Sequence, residues 1–239
     1  LLEHGKIQDS AYNGLQVEAR QIVKKVGFSV DAAVSVFQKA KNQNCELLIV
    51  HHGILWGSTV YPVTGLMKDR ISFLLKNNLS LYASHLPLDL HPLYGNNVQL
   101  VHLLGLRDVR AFGDYKGTPL GFIGELEQSY SLPAFVEKVN ILLGTRSKVL
   151  SFGKKDIHSV AIVSGGGAST LPEAIDRGAD VLLVGEFSHV HYHLAKEGSI
   201  HLVAAGHYAT ETLGVEALMQ VLKEKFTVET VFIEEETGL

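Results

Sequence analysis

His51 and His52 close an apolar run, Glu46-Leu47-Leu48-Ile49-Val50, and are followed at once by Gly53. Imidazole is the commonest metal ligand among side chains. Neighbours on a regular strand point to opposite faces, but a strand that ends at a glycine can turn and aim both rings at adjacent points. Two more polar clusters directly follow apolar runs: Leu81-Tyr82-Ala83-Ser84-His85-Leu86-Pro87-Leu88-Asp89, and Leu202-Val203-Ala204-Ala205-Gly206-His207-Tyr208-Ala209-Thr210-Glu211. His207 and Glu211 stand at i and i+4 where an amphipathic stretch begins, so they share one helical face. Asp89, in a turn after Pro87, adds a short carboxylate. Three imidazoles and two carboxylates form a donor set for two divalent ions, which at about 3.5–4 Å separation need bridging oxygens. The mixture of nitrogen and oxygen suits zinc, iron or manganese better than calcium. A lone histidine at a strand end is more often structural, but three clusters in the same context favour the metal reading.

Other residues have a weaker chemical signature. Ser164-Gly165-Gly166-Gly167 joins a strand-like run to a helix-like one, where backbone amides can cradle an anion such as a phosphate or simply make a tight turn. It has neither the lysine of a phosphate-binding loop nor the glycine spacing of a dinucleotide fingerprint. Glu186, in Gly185-Glu186-Phe187-Ser188-His189, and His85 are candidates either to carry protons beside the ions or to support and orient what binds there. On a helix His189 and His193 would share a face and His191 would not, which argues against one ion bound by all three; they are expected at the rim.

The elements that must position these groups follow from apolar patterning. Strand-like runs fall at Glu46–Val50, Leu79–Ser84, Val160–Val163, Val181–Val184, His201–Ala204 and Val228–Ile233. Helix-like stretches fall at Val30–Asn42, Lys68–Asn77, Leu132–Leu143, Leu171–Arg177, His189–Lys196 and Tyr208–Lys225. Strands apolar throughout, alternating with helices, indicate an α/β protein with mixed, largely parallel sheets covered on both faces. In such sheets ligands gather at the carboxyl ends of strands, where all three clusters stand. From Ala111 to Phe152 the texture changes to glycine-punctuated strands around one helix. Two interlocked lobes are therefore expected: residues 1–110, carrying His51, His52 and Asp89, and residues 111–239, carrying the glycine turn, His207 and Glu211.

Composition narrows the function classes. The 239 residues have a net charge of −4 and no long basic run, which disfavours nucleic acid as a partner. The single cysteine, Cys45, excludes an intramolecular disulfide and fits a reducing compartment; it reads as a small buried residue. No run approaches the roughly 18 apolar residues of a membrane span, and the start lacks a secretory pattern, so a soluble cytoplasmic protein is expected.

Taken together, several stretches resemble a known family: Tyr12-Asn13-Gly14-Leu15-Gln16-Val17, Ile49-Val50-His51-His52-Gly53, His85-Leu86-Pro87-Leu88-Asp89, His91-Pro92 through Gly95-Asn96-Asn97, Ser164-Gly165-Gly166-Gly167, Gly185-Glu186 and Ala205-Gly206-His207-Tyr208-Ala209-Thr210-Glu211. Spread over nearly the whole chain, they are similar to the dinuclear-metal proteins called GTP cyclohydrolase 1 type 2 homologues, or domain of unknown function 34. The resemblance implies metal ligands at His51, His52, Asp89, His207 and Glu211, two linked α/β lobes with the metal pair between them, and a ring-like homohexamer. It also implies the short bacterial form, without an inserted middle domain. The activity expected is metal-dependent hydrolysis of a nucleotide or related heterocycle. The alternative is a metal-binding or regulatory protein that acts through partners without turnover.

Overall fold

The computed structural model describes residues 1–57 and 62–239. Strand β1 (Gly14–Val17) precedes β2 (Lys25–Asp31), helix α1 (Val34–Asn42), β3 (Leu47–His52), α2 (Gly65–Lys76), β4 (Ser80–Ala83) and the single turn α3 (Leu86–Asp89). Then come α4 (Asn96–Leu104), β5 (Arg107–Tyr115), β6 (Thr118–Ser131), α5 (Leu132–Leu143), β7 (Lys148–Leu150) and β8 (Asp156–Val163). The chain continues through α6 (Leu171–Asp176), β9 (Val181–Val184), α7 (His191–Glu197), β10 (His201–Ala204), α8 (His207–Lys225) and β11 (Glu229–Phe232).

These elements form two compact units, one of Leu1–Leu88 with Gly214–Glu235, the other of Asp89–Leu213 with Glu236–Leu239. The partition differs from a simple division near residue 110. Helix α4 buries Leu100, Val101 and Leu104 in a core of the second unit, whereas the later part of α8 returns Val215 and Leu218 to a core of the first. Asp89 therefore belongs with the second unit.

The first unit has a five-stranded sheet in the order β1-β4-β3-β2-β11. It is parallel except where β1 pairs antiparallel with β4. Along β3 the side chains alternate between two cores. Leu48 and Val50 join Phe37, Ala40 and Leu74 from α1 and α2, while Leu47 and Ile49 join Phe28, Val215 and Leu218. Covered faces explain why β3 reads as an unbroken apolar run. Central strand β2 is less legible, because Gly27 and Ser29 interrupt it. A Cβ at Gly27 would lie 2.8 Å from Ile233 Cδ1 and 3.1 Å from Cys45 Sγ. Buried Ser29 donates its hydroxyl to the Ile233 carbonyl at 2.9 Å. The helix expected from Val30 thus begins at Val34, after a strand. Cys45 is buried, and burial raises its thiol pKa, in keeping with a packing role.

The second unit has six strands in the order β5-β6-β8-β9-β10-β7, parallel through β8-β9-β10 and antiparallel at both flanks. Val181 and Leu183 of β9 meet Phe135 and Val139 of α5 on one face; Leu182 and Val184 meet Leu171, Ala174 and Ala195 of α6 and α7 on the other. Helix α5 matches its expected span because its ends are marked. The Ser131 hydroxyl accepts from the Ala134 amide at 3.4 Å, and Gly144 ends the helix at φ 61°.

Asp180 ties the second sheet together ahead of β9. Its carboxylate accepts the His158 and Ser159 amides at 3.0 and 2.9 Å and the Lys154 ammonium at 3.0 Å. Burial pushes its pKa up, but those donors outweigh burial and hold it below the usual carboxylate range. Asp180→Ala orphans these donors and is expected to lower unfolding free energy near neutral pH by about 1–3 kcal/mol. A carboxylate depressed in the folded state stabilises it above the unfolded pKa, and that stabilisation fades as pH falls through the folded pKa. The gap between parent and variant in urea denaturation should therefore close below about pH 4; a gap unchanged in acid would refute this role.

Candidate metal centre

In the first unit, His51 and His52 are the last residues of β3, and their ring centroids stand 4.7 Å apart. Each is held from behind by an oxygen on a neighbouring strand or strand exit. His51 Nδ1 lies 2.9 Å from the Ser84 carbonyl. A carbonyl only accepts, so Nδ1 carries the proton. His52 Nδ1 lies 2.8 Å from Asp31 Oδ1, and β2 pairs with β3 in a register that puts these two residues opposite each other. His85 is held in the same way, with Nδ1 2.9 Å from Asp9 Oδ1. The ligand nitrogens of His51, His52 and His85 lie within 4.8 Å of one another.

Asp9 has no counterpart in the sequence reading. Besides His85, its carboxylate accepts the Ala11 and Leu86 amides and the Asn13 side chain at 2.9, 3.0 and 2.8 Å. Burial favours the neutral acid, but His85 and these donors prevail and lower the pKa to about 2. Asn13 also accepts the His85 amide at 2.7 Å. Gln16 organises the chain beyond His52: its Oε1 accepts the Ile54 and Leu55 amides at 2.7 and 3.2 Å, and its Nε2 donates to the Tyr12 carbonyl at 2.6 Å. The Gln16 amide fills the space a Cβ on Gly53 would need. The Tyr12–Val17 motif is thus a brace for the two histidine loops. Its appearance in the sequence was the available signal, without a role attached.

In the second unit, Asp89 is buried, and Asn96 Nδ2 and Ser164 Oγ both donate to its Oδ1, at 2.7 and 3.3 Å. His207 opens α8, with Nε2 3.2 Å from Glu211 Oε2 and Nδ1 3.2 Å from Glu186 Oε1. The Glu211 hydrogen bond raises the His207 pKa, burial opposes it, and Glu186 adds to the rise, to about 9. Glu186 therefore stands behind the His207 ring, as Asp31 stands behind His52.

The glycine turn brings the exits of β8, β9 and β10 close together. Gly165 has φ +58°, which favours glycine. A Cβ there would collide with the Glu211 carboxylate and lie 3.1 Å from His207 Nε2. One on Gly185 would lie 2.7 Å from the Gly165 Cα and 2.8 Å from the His207 Cα. Two of the four amides expected to face an anion point inward: Ser164 donates to Asn97 Oδ1 at 2.7 Å and Gly165 to Thr210 Oγ1 at 3.1 Å. Gly166 caps, and Gly167 begins, a short 3-10 turn. Thr210, fully buried, also donates to the Gly206 carbonyl at 2.9 Å and so fastens α8 to this turn. His191 interacts with Ser188 at the start of its own helix, with Nδ1 3.1 Å from the Ser188 amide. Among the described residues His189, His191 and His193 join no metal-holding group.

Gly165→Ala is expected to strain the backbone and displace Glu211, costing about 1–3 kcal/mol in unfolding free energy. Urea denaturation checks this; a variant as stable as the parent would show that the turn tolerates a Cβ.

Two relatives named GTP cyclohydrolase 1 type 2 homolog are similar over nearly all of the chain. That of Pyrococcus horikoshii is 48% identical over 97% of this chain and 92% of its own length. That of Archaeoglobus fulgidus is 45% identical over 100% and 95%. Among solved structures, protein ybgI, described as of unknown function, superposes with TM-score 0.93 at 34% identity, covering 100% of this chain and 95% of that one. TTHA1606 from Thermus thermophilus gives 0.87 at 37%, covering 99% and 93%. The family model Duf34/NIF3 (NGG1p interacting factor 3) matches residues 1–238, and the chain belongs to that family.

Proposed function

We propose that His51, His52, Asp89, His207 and Glu211 hold two divalent cations, and that the protein uses them to hydrolyse a nucleotide or a related heterocycle. One observation carries the metal assignment: in His51, His52 and His207 alike, Nδ1 is engaged by an oxygen acceptor. Tying Nδ1 orients the ring and assigns Nε2 to the metal, and an anionic partner also makes the imidazole more basic. The donors suit zinc, iron or manganese, because neutral imidazole and carboxylate together match borderline ions. The name of the relatives, GTP cyclohydrolase 1 type 2 homolog, supports the substrate class.

Bound divalent cations would supply Lewis acidity that makes a water nucleophilic near neutral pH. The chain's own contribution is order and proton movement. Asp31 and the Ser84 carbonyl fix the β3 imidazoles, and Asn96 and Ser164 orient Asp89. Glu186, on the His207 ring, orients that ligand. His85, braced through Nδ1 by Asp9, is the group that moves a proton. Any hold on a phosphate by the glycine turn falls to Gly166 and Gly167. The same reading includes assembly as a homohexamer and a cytoplasmic location, with nucleic acid disfavoured and no membrane as a partner. Among the described residues no helix is long and apolar enough to cross a membrane.

Elemental analysis of chelator-free protein is the first test. About two ions per chain are expected after reconstitution with zinc, manganese or ferrous iron, with marked loss in Glu211→Ala. Asp31→Ala is expected to weaken metal affinity about 10–100-fold. No bound metal after reconstitution would end the proposal. His85→Gln should keep the metal and lower kcat for a nucleotide substrate by about 10²–10⁴. Full metal loading without turnover of any nucleotide would favour the alternative of a regulatory metal-binding protein.

A further inference from the structure

Trp56 is the only tryptophan of the chain, and its ring is positioned by one hydrogen bond and by two histidine rings. Indole Nε1 donates to the Gly53 carbonyl at 3.0 Å. On either side the chain is tied down: the Tyr12 amide donates to the Leu55 carbonyl at 3.0 Å, the Gly57 amide donates to the Ser10 carbonyl, and Trp56 bridges Ala11. The indole meets His85 edge-on at 5.1 Å between centroids, with planes 70° apart, and lies tilted 6.1 Å from His52. Its neighbours Ile54 and Leu55 pack into an apolar core of the first unit. Among the described residues Trp56 joins none of the four apolar clusters, and it is only half-buried.

A partly exposed indole that lies outside the apolar clusters, with its one polar atom satisfied and its orientation fixed, is poorly explained by core packing alone. Its remaining chemistry is its π face, which attracts flat aromatic rings. We infer that Trp56 is the stacking platform for the planar ring of the substrate, and so selects aromatic heterocycles at the His52–His85 end of the site. Stacking reads the π face and not the hydrogen-bonding edge, so the platform sets substrate class and tolerates different bases. This inference rests on the metal-hydrolase reading of His52, and its test separates the two.

The single tryptophan is its own reporter. Zinc-loaded protein is titrated with GMP, AMP, flavin mononucleotide and ribose 5-phosphate, following Trp56 fluorescence and, by calorimetry, affinity. Saturable quenching by the ring-bearing ligands, and little by ribose 5-phosphate, is expected. Trp56→Ala should weaken GMP binding about 10–100-fold, Trp56→Phe should restore most of it, and both variants should keep the parent's zinc content. Equal quenching by ribose 5-phosphate, unchanged GMP affinity in Trp56→Ala, or no binding of any ring-bearing ligand by metal-loaded parent would overturn the platform and leave the metal assignment standing. Ring-selective quenching in a chain that never takes up metal would do the reverse.

Discussion

Around the candidate metal centre Nδ1 of His51, His52, His85 and His207 faces an oxygen, supplied by the Ser84 carbonyl, Asp31, Asp9 and Glu186 respectively. Bonds of this kind select a tautomer and fix a ring plane. Imidazoles held this way would need little reorganisation to bind an ion. Two of the braces come from neighbouring strands in register. Asp31 closes β2 opposite His52, and Ser84 follows β4, the other neighbour of β3. Parallel pairing puts the carboxyl ends of three strands side by side, so their exits supply both candidate ligand and brace.

The second unit solves the same problem with glycine. Its parallel strands β8, β9 and β10 end in turns that approach within distances no Cβ would allow, so Gly165 and Gly185 permit the packing against which His207 and Glu211 stand. Thr210, one helical turn after His207, fastens the helix start to the Gly165 amide. The glycine run that resembled an anion cradle therefore also serves close approach, with half of its amides turned inward.

Both sheets obey the same rule of burial. Successive residues of β9, and of β3 from Leu47 to Val50, alternate between two apolar cores, which makes these stretches apolar at every position and easy to see in the sequence. Elements with another source of stability were harder to see. Strand β2 contains Gly27, required by the close approach of Ile233 and Cys45, and Ser29, satisfied by a carbonyl more than two hundred residues away. Helix α4 begins with two buried asparagines that serve Asp89 and the glycine turn, so its first turn does not look helical.

By itself the sequence determined the α/β class, the apolar strands, the capped helix α5 and the five candidate ligands, because all of these depend on local periodicity or on residue types at short spacing. Tertiary structure decided which groups stand behind the candidate site's imidazoles. Asp9 is 76 residues from His85, and Asp31 is 21 residues from His52; no local pattern encodes either pairing. The fold also decided the partition of the chain, in which the later part of α8 and β11 return to a unit the chain had left more than a hundred residues earlier. Side-chain type and spacing are written along the chain, but a hydrogen-bond partner is chosen by strand order and register, which exist only once the sheets have formed.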